Sequence, residues 1–366
     1  MNNTGKIKLL ILTPTLQCGG SEKFVSLLCN HINTEIFSVC LVVLNNVRPF
    51  YQVTNPVIEI VDLKKERVLL SLSAIKAVVK KFKPAVIFST ANHLNLYLAI
   101  FRKQFDAGIQ FIAREGSIVS INIEYARMSA LYNRLVKKYY KRFDHIICQS
   151  VYMQQDLVKN YNIMTNKTTV IHNAVEEVLS KTPRPEKQTT EQGYKFITVA
   201  RLSKEKGIER LIHATGLISE PFAYYIIGEG KKRKDLQKFI NELHLQDKVF
   251  LLGEKEKPFE GMEDADLFLF GSYYEGFPNV LVEAGSYGIP VLAFDAPGGI
   301  AEIITNADTG LLVENNDIIA FGVAIKKGLA ADFNREVIKE TTMTCFSVTN
   351  MMAKIQTLFL EQSKMV

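Results

Sequence analysis

Residues 274–284 read Tyr274-Glu275-Gly276-Phe277-Pro278-Asn279-Val280-Leu281-Val282-Glu283-Ala284. Ahead of them, DLFLFGS (Asp266 to Ser272) is an apolar run of the length of a buried parallel strand. Behind Pro278, VLVEAGSYGIP reads as a helix that Gly288 closes before Pro290 opens the next strand. Glu275 therefore falls on a strand-to-helix loop and Glu283 inside the helix. Around Phe277 to Val280, just after Gly276, main-chain N–H groups point out of the helix's first turn. Such a terminus binds phosphate through free donors and the positive end of the helix dipole. Two carboxylates beside it suit a ligand that carries both phosphates and hydroxyls, as a nucleotide sugar does.

Taken alone, two glutamates eight positions apart read as a turn cap and a solvated helix residue. The sequence between them adds more. EGFPNVLVEA resembles the E-x7-E signature of the retaining glycosyltransferases of family 4. These enzymes have the GT-B fold, an α/β architecture of two Rossmann-like parallel-sheet domains facing each other across a cleft. The resemblance runs from about Lys6 to Val313 and is strongest in the second half.

Length and composition are consistent with this. At 366 residues the chain has room for two to three ordinary domains, and its 47% hydrophobic content is that of a protein with large cores. No apolar run approaches the ~18 residues of a membrane span, and MNNTGKIKLLILTPT reads as a first strand, not a signal peptide. Five scattered cysteines without C-x-x-C spacing argue against a disulfide framework or zinc site and point to a reducing, cytoplasmic setting. The net charge of +6 is uneven. Residues 1–180 hold 22 basic against 12 acidic residues, and the remainder 22 against 26. An anionic partner is expected for the first half only.

In order, LLILTPT is a strand, followed by the glycine loop and amphipathic helix of LQCGGSEKFVSLLCNHI. Gly19 and Gly20 let a ligand approach the backbone, and Ser21 is placed to cap the helix. The spacing is not G-x-G-x-x-G, so no dinucleotide fingerprint is present. The GGSEK string is similar to the first, cleft-facing loop of family 4 enzymes. Strands at FSVCLVVL, VIEIVDL, AVIFST, IQFIAR, DHIICQS and TTVIHN alternate with helical patterns such as SLSAIKAVVKKF, NHLNLYLAIFRK, IEYARMSALYNRLVKKYYKRF and VYMQQDLVKNY. That alternation marks an open parallel sheet whose ligands lie beyond the strands' carboxyl ends. A polar stretch with two prolines, 176–193, reads as a linker. A second α/β set begins at FITVARLSKEKG. The expected organisation is a first domain over 1–175, the linker, and a second domain over 194–345. A final helix over 346–366 crosses back to the first domain, as the resemblance implies.

VARLSKEKG places Arg201 and Lys206 in the loop after the second domain's first strand. A fork and a point charge there can hold a diphosphate facing the Glu275 helix. Either cation could equally belong to a solvated basic turn. By resemblance to the family's R-x4-K element, both stabilise the leaving nucleoside diphosphate. The resemblance further implies that Gly253 to Lys255 line the base, that Glu283 accepts from the ribose and that Glu275 accepts from the transferred sugar. Pro297, Gly298 and Gly299 would close under the donor. Asp264-Ala265-Asp266 has the D-x-D form of a Mg2+ chelate, but it precedes a strand, where acidic residues commonly cap an end. GT-B enzymes usually replace the metal with basic residues and a helix dipole, so no metal and no cofactor is expected.

The first domain departs from the family pattern. Many family 4 enzymes carry a histidine near the attacked carbon, whereas the matching strand end here reads Ala113-Arg114-Glu115-Gly116. Arg114, Glu115 and His93, the last at a neighbouring strand end, are the acceptor-side candidates. The stretch RLVKKYYKRF (Arg134 to Phe143) reads either as a solvated basic face or as a contact with anionic lipid. No nucleic-acid recognition motif accompanies the charge. The expectation is a retaining transferase that uses a nucleoside diphosphate sugar, UDP- before GDP-, on a saccharide or lipid-linked acceptor. An epimerase, or a silent nucleotide-sugar-binding protein, is the alternative.

Overall fold

A computed structural model describes residues 5–124, 129–177 and 193–365. The chain forms two compact units, residues 1–174 with 348–366 and residues 175–347. Of the expected 176–193 linker, residues 178–192 lie outside the described residues.

In the first unit the strands are β1 (Ile7–Thr13), β2 (Phe37–Val43), β3 (Glu59–Asp62), β4 (Val86–Thr90), β5 (Gln110–Arg114), β6 (His145–Cys148) and β7 (Thr168–Val170). Between them run α1 (Gly20–His31), α2 (Leu72–Phe82), α3 (Asn92–Phe101), α4 (Val119–Glu124), α5 (Ser129–Tyr139) and α6 (Val151–Tyr161). The sheet order is β3-β2-β1-β4-β5-β6-β7, and every pair is parallel. The central strands are buried on both faces, which is why Leu9 to Leu12 form an unbroken apolar run rather than an alternating one. Ser21 is not the cap of α1. The helix starts at Gly20 with Gly19, which has no side chain to cap it, in the cap position.

The second unit contains β8 (Tyr194–Val199), α7 (Ile208–Thr215), β9 (Phe222–Ile227), α8 (Arg233–Glu242), β10 (Val249–Gly253), β11 (Leu267–Phe270), α9 (Asn279–Ser286), β12 (Val291–Asp295), α10 (Ile300–Ile303), β13 (Gly310–Glu314), α11 (Ile318–Ala330) and α12 (Arg335–Phe346). Its order, β10-β9-β8-β11-β12-β13, is again all parallel. Neither α11 nor α12 was read from the sequence. The last helix, α13 (Val348–Ser363), belongs to the first unit. Its Phe359 ring lies 5.4 Å from that of Phe88 and 6.2 Å from that of Phe37, so the C-terminal helix completes the first core.

Both sheets have the doubly wound order, in which the direction of winding reverses once. In the first the reversal lies between β1 and β4, in the second between β8 and β11. Loops leaving the carboxyl ends at such a point diverge to opposite faces and open a crevice for a ligand. In GT-B proteins two such units are joined in one chain, and that is the fold here. Among the described residues, no helix is long and apolar enough to cross a membrane.

Candidate functional site

The second reversal point gathers most of the residues singled out from the sequence. The loop after β8 carries Arg201 and, in a single 3-10 turn, Lys206. The loop after β11 carries Ser272 and Glu275. Lys206 Nζ donates to Glu275 Oε1, and both side chains keep about a fifth of their exposure. Ser272 Oγ donates to the same oxygen at 2.9 Å. The two loops are held close by Gly207, whose backbone is left-handed at φ 58°. A Cβ there would run into the Gly271 carbonyl, so only glycine allows this approach.

Glu275 is fixed on its other side by the Pro297-Gly298-Gly299 loop. Its N–H donates to Pro297 O at 3.0 Å, and residues 275 and 298 form a parallel bridge. Gly298 sits at φ 131°, and a Cβ would meet the Glu275 main chain, so this position too is restricted to glycine. The small-residue loop expected under the ligand is thus what seats Glu275.

The helix α9 follows at once. Pro278 occupies its cap position and so supplies no side-chain cap. The Phe277 ring is buried against Phe346, with centroids 5.6 Å apart. The main chain of Gly276, Phe277, Pro278, Asn279 and Val280 lies at the positive end of α9. Glu283 is half-buried, a full turn further along the same helix.

Arg201 remains largely in solvent. Its side chain is 77% exposed and reaches Glu205 at 3.7 Å, a spacing that leaves the guanidinium free to turn toward an anion. Gly253 closes β10, where its carbonyl accepts from Gly228 N at 2.8 Å. Asp264 and Asp266 lie at the opposite, amino edge of the sheet. Lys195 binds both, through its Nζ to Asp264 and its N–H to Asp266. The D-x-D pair therefore anchors the start of β8 and does not belong to the Glu275 constellation.

In the first unit, Gly19 and Gly20 follow β1, and His93 is exposed on the first turn of α3 after β4, so all three flank that sheet's reversal point. Arg114 and Glu115 correct another expectation: both are fully buried and cannot touch an acceptor in this form. Arg114 lies 3.9 Å over the Phe24 ring and donates to Asn173 Oδ1. Glu115 Oε1 accepts from Asn95 at 2.9 Å, and Gln149 holds its main-chain carbonyl at 2.6 Å. Burial pushes the Glu115 carboxyl up to about 7, opposed by the Asn95 and Tyr140 hydrogen bonds and by Arg114. Burial lowers Arg114 to about 9, opposed by Glu115 and Glu22, so it stays a cation at neutral pH.

The basic aromatic stretch is corrected in part. Tyr140 and Phe143 are buried, their rings 5.7 Å apart, and Arg142 donates to the carbonyls of Ala99 and Ile100. Arg134, Lys137, Lys138 and Lys141 are exposed.

Sequence reasoning passed over Ser272 and Arg210. The serine's only signal was its place three residues before Glu275, and the arginine resembled a solvated residue on an amphipathic helix.

Residues 18–178 match the family described as Glycosyltransferase Family 4, and residues 180–343 match Glycosyl transferases group 1. Over 348 residues the chain is 28% identical to the N-acetylgalactosamine-N,N'-diacetylbacillosaminyl-diphospho-undecaprenol 4-alpha-N-acetylgalactosaminyltransferase of Campylobacter jejuni, covering 92% of this chain and 94% of the relative. It is 25% identical to the amylovoran biosynthesis glycosyltransferase AmsD of Erwinia amylovora, covering 89% and 91%. Among solved structures, Anabaena HepE in complex with UDP-glucose superposes with a TM-score of 0.78 at 19% identity, covering 97% of this chain and all of that one.

Proposed function

We propose, on the premise that this chain belongs to glycosyltransferase family 4, that it moves a sugar from a nucleoside diphosphate sugar to a saccharide or lipid-linked acceptor. The anomeric configuration is retained, and UDP is the preferred carrier. Surface polysaccharide or glycolipid synthesis is the setting that the named relatives support.

The observation that carries this reading is the Lys206–Glu275 pair at the β8/β11 reversal point, beside the amino end of α9. A diphosphate placed there meets Lys206, the exposed guanidinium of Arg201 and the positive end of α9. These groups are preorganised where negative charge grows as the sugar departs, and such preorganisation is a large catalytic term. Binding of the diphosphate to Lys206 draws that cation away from Glu275. The freed carboxylate then accepts hydrogen bonds from the hydroxyls of the sugar, and Glu283 takes the ribose. The acceptor attacks from the face the diphosphate leaves, and the diphosphate takes its proton. In this reading charge stabilisation comes from Arg201, Lys206 and the helix, with no metal required.

A thermal-shift series with UDP-, GDP- and ADP-sugars tests the donor. A ligand at 100 times its Kd adds about 2.7 kcal/mol to stability, which is an easily read rise in Tm. A rise with UDP-sugars, and a product whose anomeric proton coupling matches that of the donor, is the expected outcome. If no nucleotide sugar raises Tm at millimolar concentration, the reading fails.

A further inference from the structure

Arg210 occupies the third position of α7, where an amphipathic helix would ordinarily leave an arginine in water, yet it is 4% exposed. Its Nε donates to Gly271 O at 2.8 Å and one Nη to Ser272 O at 2.6 Å. The other Nη reaches Asn315 Oδ1 at 2.9 Å and Asn316 Oδ1 at 3.1 Å. The guanidinium also lies over two rings, 4.1 Å from that of Tyr273 and 3.9 Å from that of Phe294. These acceptors are neutral carbonyls and amides. A cation buried among them gains no ion-pair energy to offset the loss of its hydration. What the arrangement does supply is geometry, because the planar fork fixes two successive carbonyls at the end of β11 at once.

Those carbonyls lead straight to the site. Ser272, held through its carbonyl, donates its hydroxyl to Glu275. Lys206 lies one turn ahead of Arg210, and the 205–210 segment is tied to the same loop again where Tyr273 N donates to Glu205 O at 2.9 Å. We propose that Arg210 is a positioning residue for the Lys206–Glu275 pair, joining the segment that carries the cation to the loop that carries the carboxylate. It touches neither the donor nor the reacting atoms, and its effect on turnover rests on the donor reading above. A lysine cannot replace it, since one ammonium spans neither both carbonyls nor both asparagines and presents no plane to the two rings.

Hydrogen exchange and kinetics on the full chain, parent against Arg210→Lys and Arg210→Ala, test this. Amides of residues 271–276 should exchange about tenfold faster or more in both variants, while those of β8 and β9 keep the parent's rates and so report an intact sheet. With a UDP-sugar, kcat should fall by about 10²-fold, the order expected for misplacing a group by an ångström. The Kd of free UDP should rise as well, because Lys206 meets the diphosphate, and millimolar guanidinium ion should restore part of the lost rate in Arg210→Ala. Unchanged exchange in the 271–276 loop overturns the assignment whatever the activity. So does a loosened loop with parental kcat and KM. Absence of turnover in the parent itself would sink the donor reading and leave the exchange measurement to decide on Arg210.

Discussion

Lys206 Nζ and Glu275 Oε1 are joined by a hydrogen-bonded ion pair between residues 69 positions apart, formed where the loops after β8 and β11 meet. Neither group is deeply buried; the carboxylate also accepts from Ser272, and the main chain of Lys206 is held in its turn by Ser203 O. In the proposed donor reading the pair opens on binding, because a diphosphate carries more charge than one carboxylate. Lys206→Ala should lower kcat by about 10²–10³, the range for losing one preorganised charge-stabilising group, and Arg201→Ala should do the same. Tm should stay near the parent's, since exposed and half-exposed ion pairs contribute about 1 kcal/mol or less. Parental turnover in either variant would remove that residue from the mechanism.

The two glutamates should separate in a titration with free nucleotide. Glu283→Ala is expected to raise the Kd of UDP, because its proposed partner is the ribose. Glu275→Ala should abolish most transfer while leaving that Kd unchanged or tighter, since its removal frees Lys206 for the diphosphate. Isothermal titration calorimetry reads both directly. Equal losses of UDP affinity in the two variants would contradict this division of roles.

The sheets were legible because strands buried on both faces, such as Leu267–Phe270, show as unbroken apolar runs. The helices α11 and α12 were not. Residues 318–330, IIAFGVAIKKGLA, are apolar around much of the helix and show no clear polar stripe, although the cap signals were present: Asp317 accepts from Ala320 N and Asn334 from Val337 N. At the site, Arg201, Lys206 and Glu275 were legible through the family resemblance, because local loop chemistry alone reads them as a solvated basic turn and a turn cap. Arg210 was not, because what buries it is a pair of carbonyls 61 and 62 residues away. The burial of Arg114 and Glu115 was hidden for a related reason: a polar residue at a strand's end reads the same whether it faces solvent or a packed helix.

Glu115 makes stability depend on pH in a direction opposite to most carboxylates. Its folded pKa of about 7 lies above the ordinary 4.5, so the folded state holds the proton more tightly. The stabilisation is complete below pH 4.5 and is lost as pH rises through 7, amounting to about 3 kcal/mol at most. His145 works against it over part of this range. Burial holds that imidazole at about 4, below its ordinary 6.5, so its contribution is present above 6.5 and fades as pH falls toward 4. The difference between parent and Glu115→Gln isolates the carboxyl. Urea unfolding from pH 5 to 8 should show the variant gaining on the parent as pH rises. Parallel profiles would mean that Glu115 ionises as an ordinary carboxylate.

Contact with an anionic bilayer is the last expectation, and the structure reshapes it. Tyr140 and Phe143 lie in the core and Arg142 is held by the carbonyls of Ala99 and Ile100, so of the three aromatics only Tyr139 is partly exposed. Lys137, Lys138 and Lys141 are still exposed, on the unit with the surplus of positive charge. Each basic residue near an anionic surface contributes roughly 1 kcal/mol, an effect that fades within a Debye length. Three give an attraction that is electrostatic throughout and so must disappear with salt. Sedimentation with phosphatidylglycerol vesicles should show binding at low ionic strength and none in high salt. The Lys137→Gln, Lys138→Gln, Lys141→Gln triple variant should stay in the supernatant. Binding that survives high salt would require an apolar anchor elsewhere on the chain, and no binding at low salt would place the acceptor's encounter away from this face.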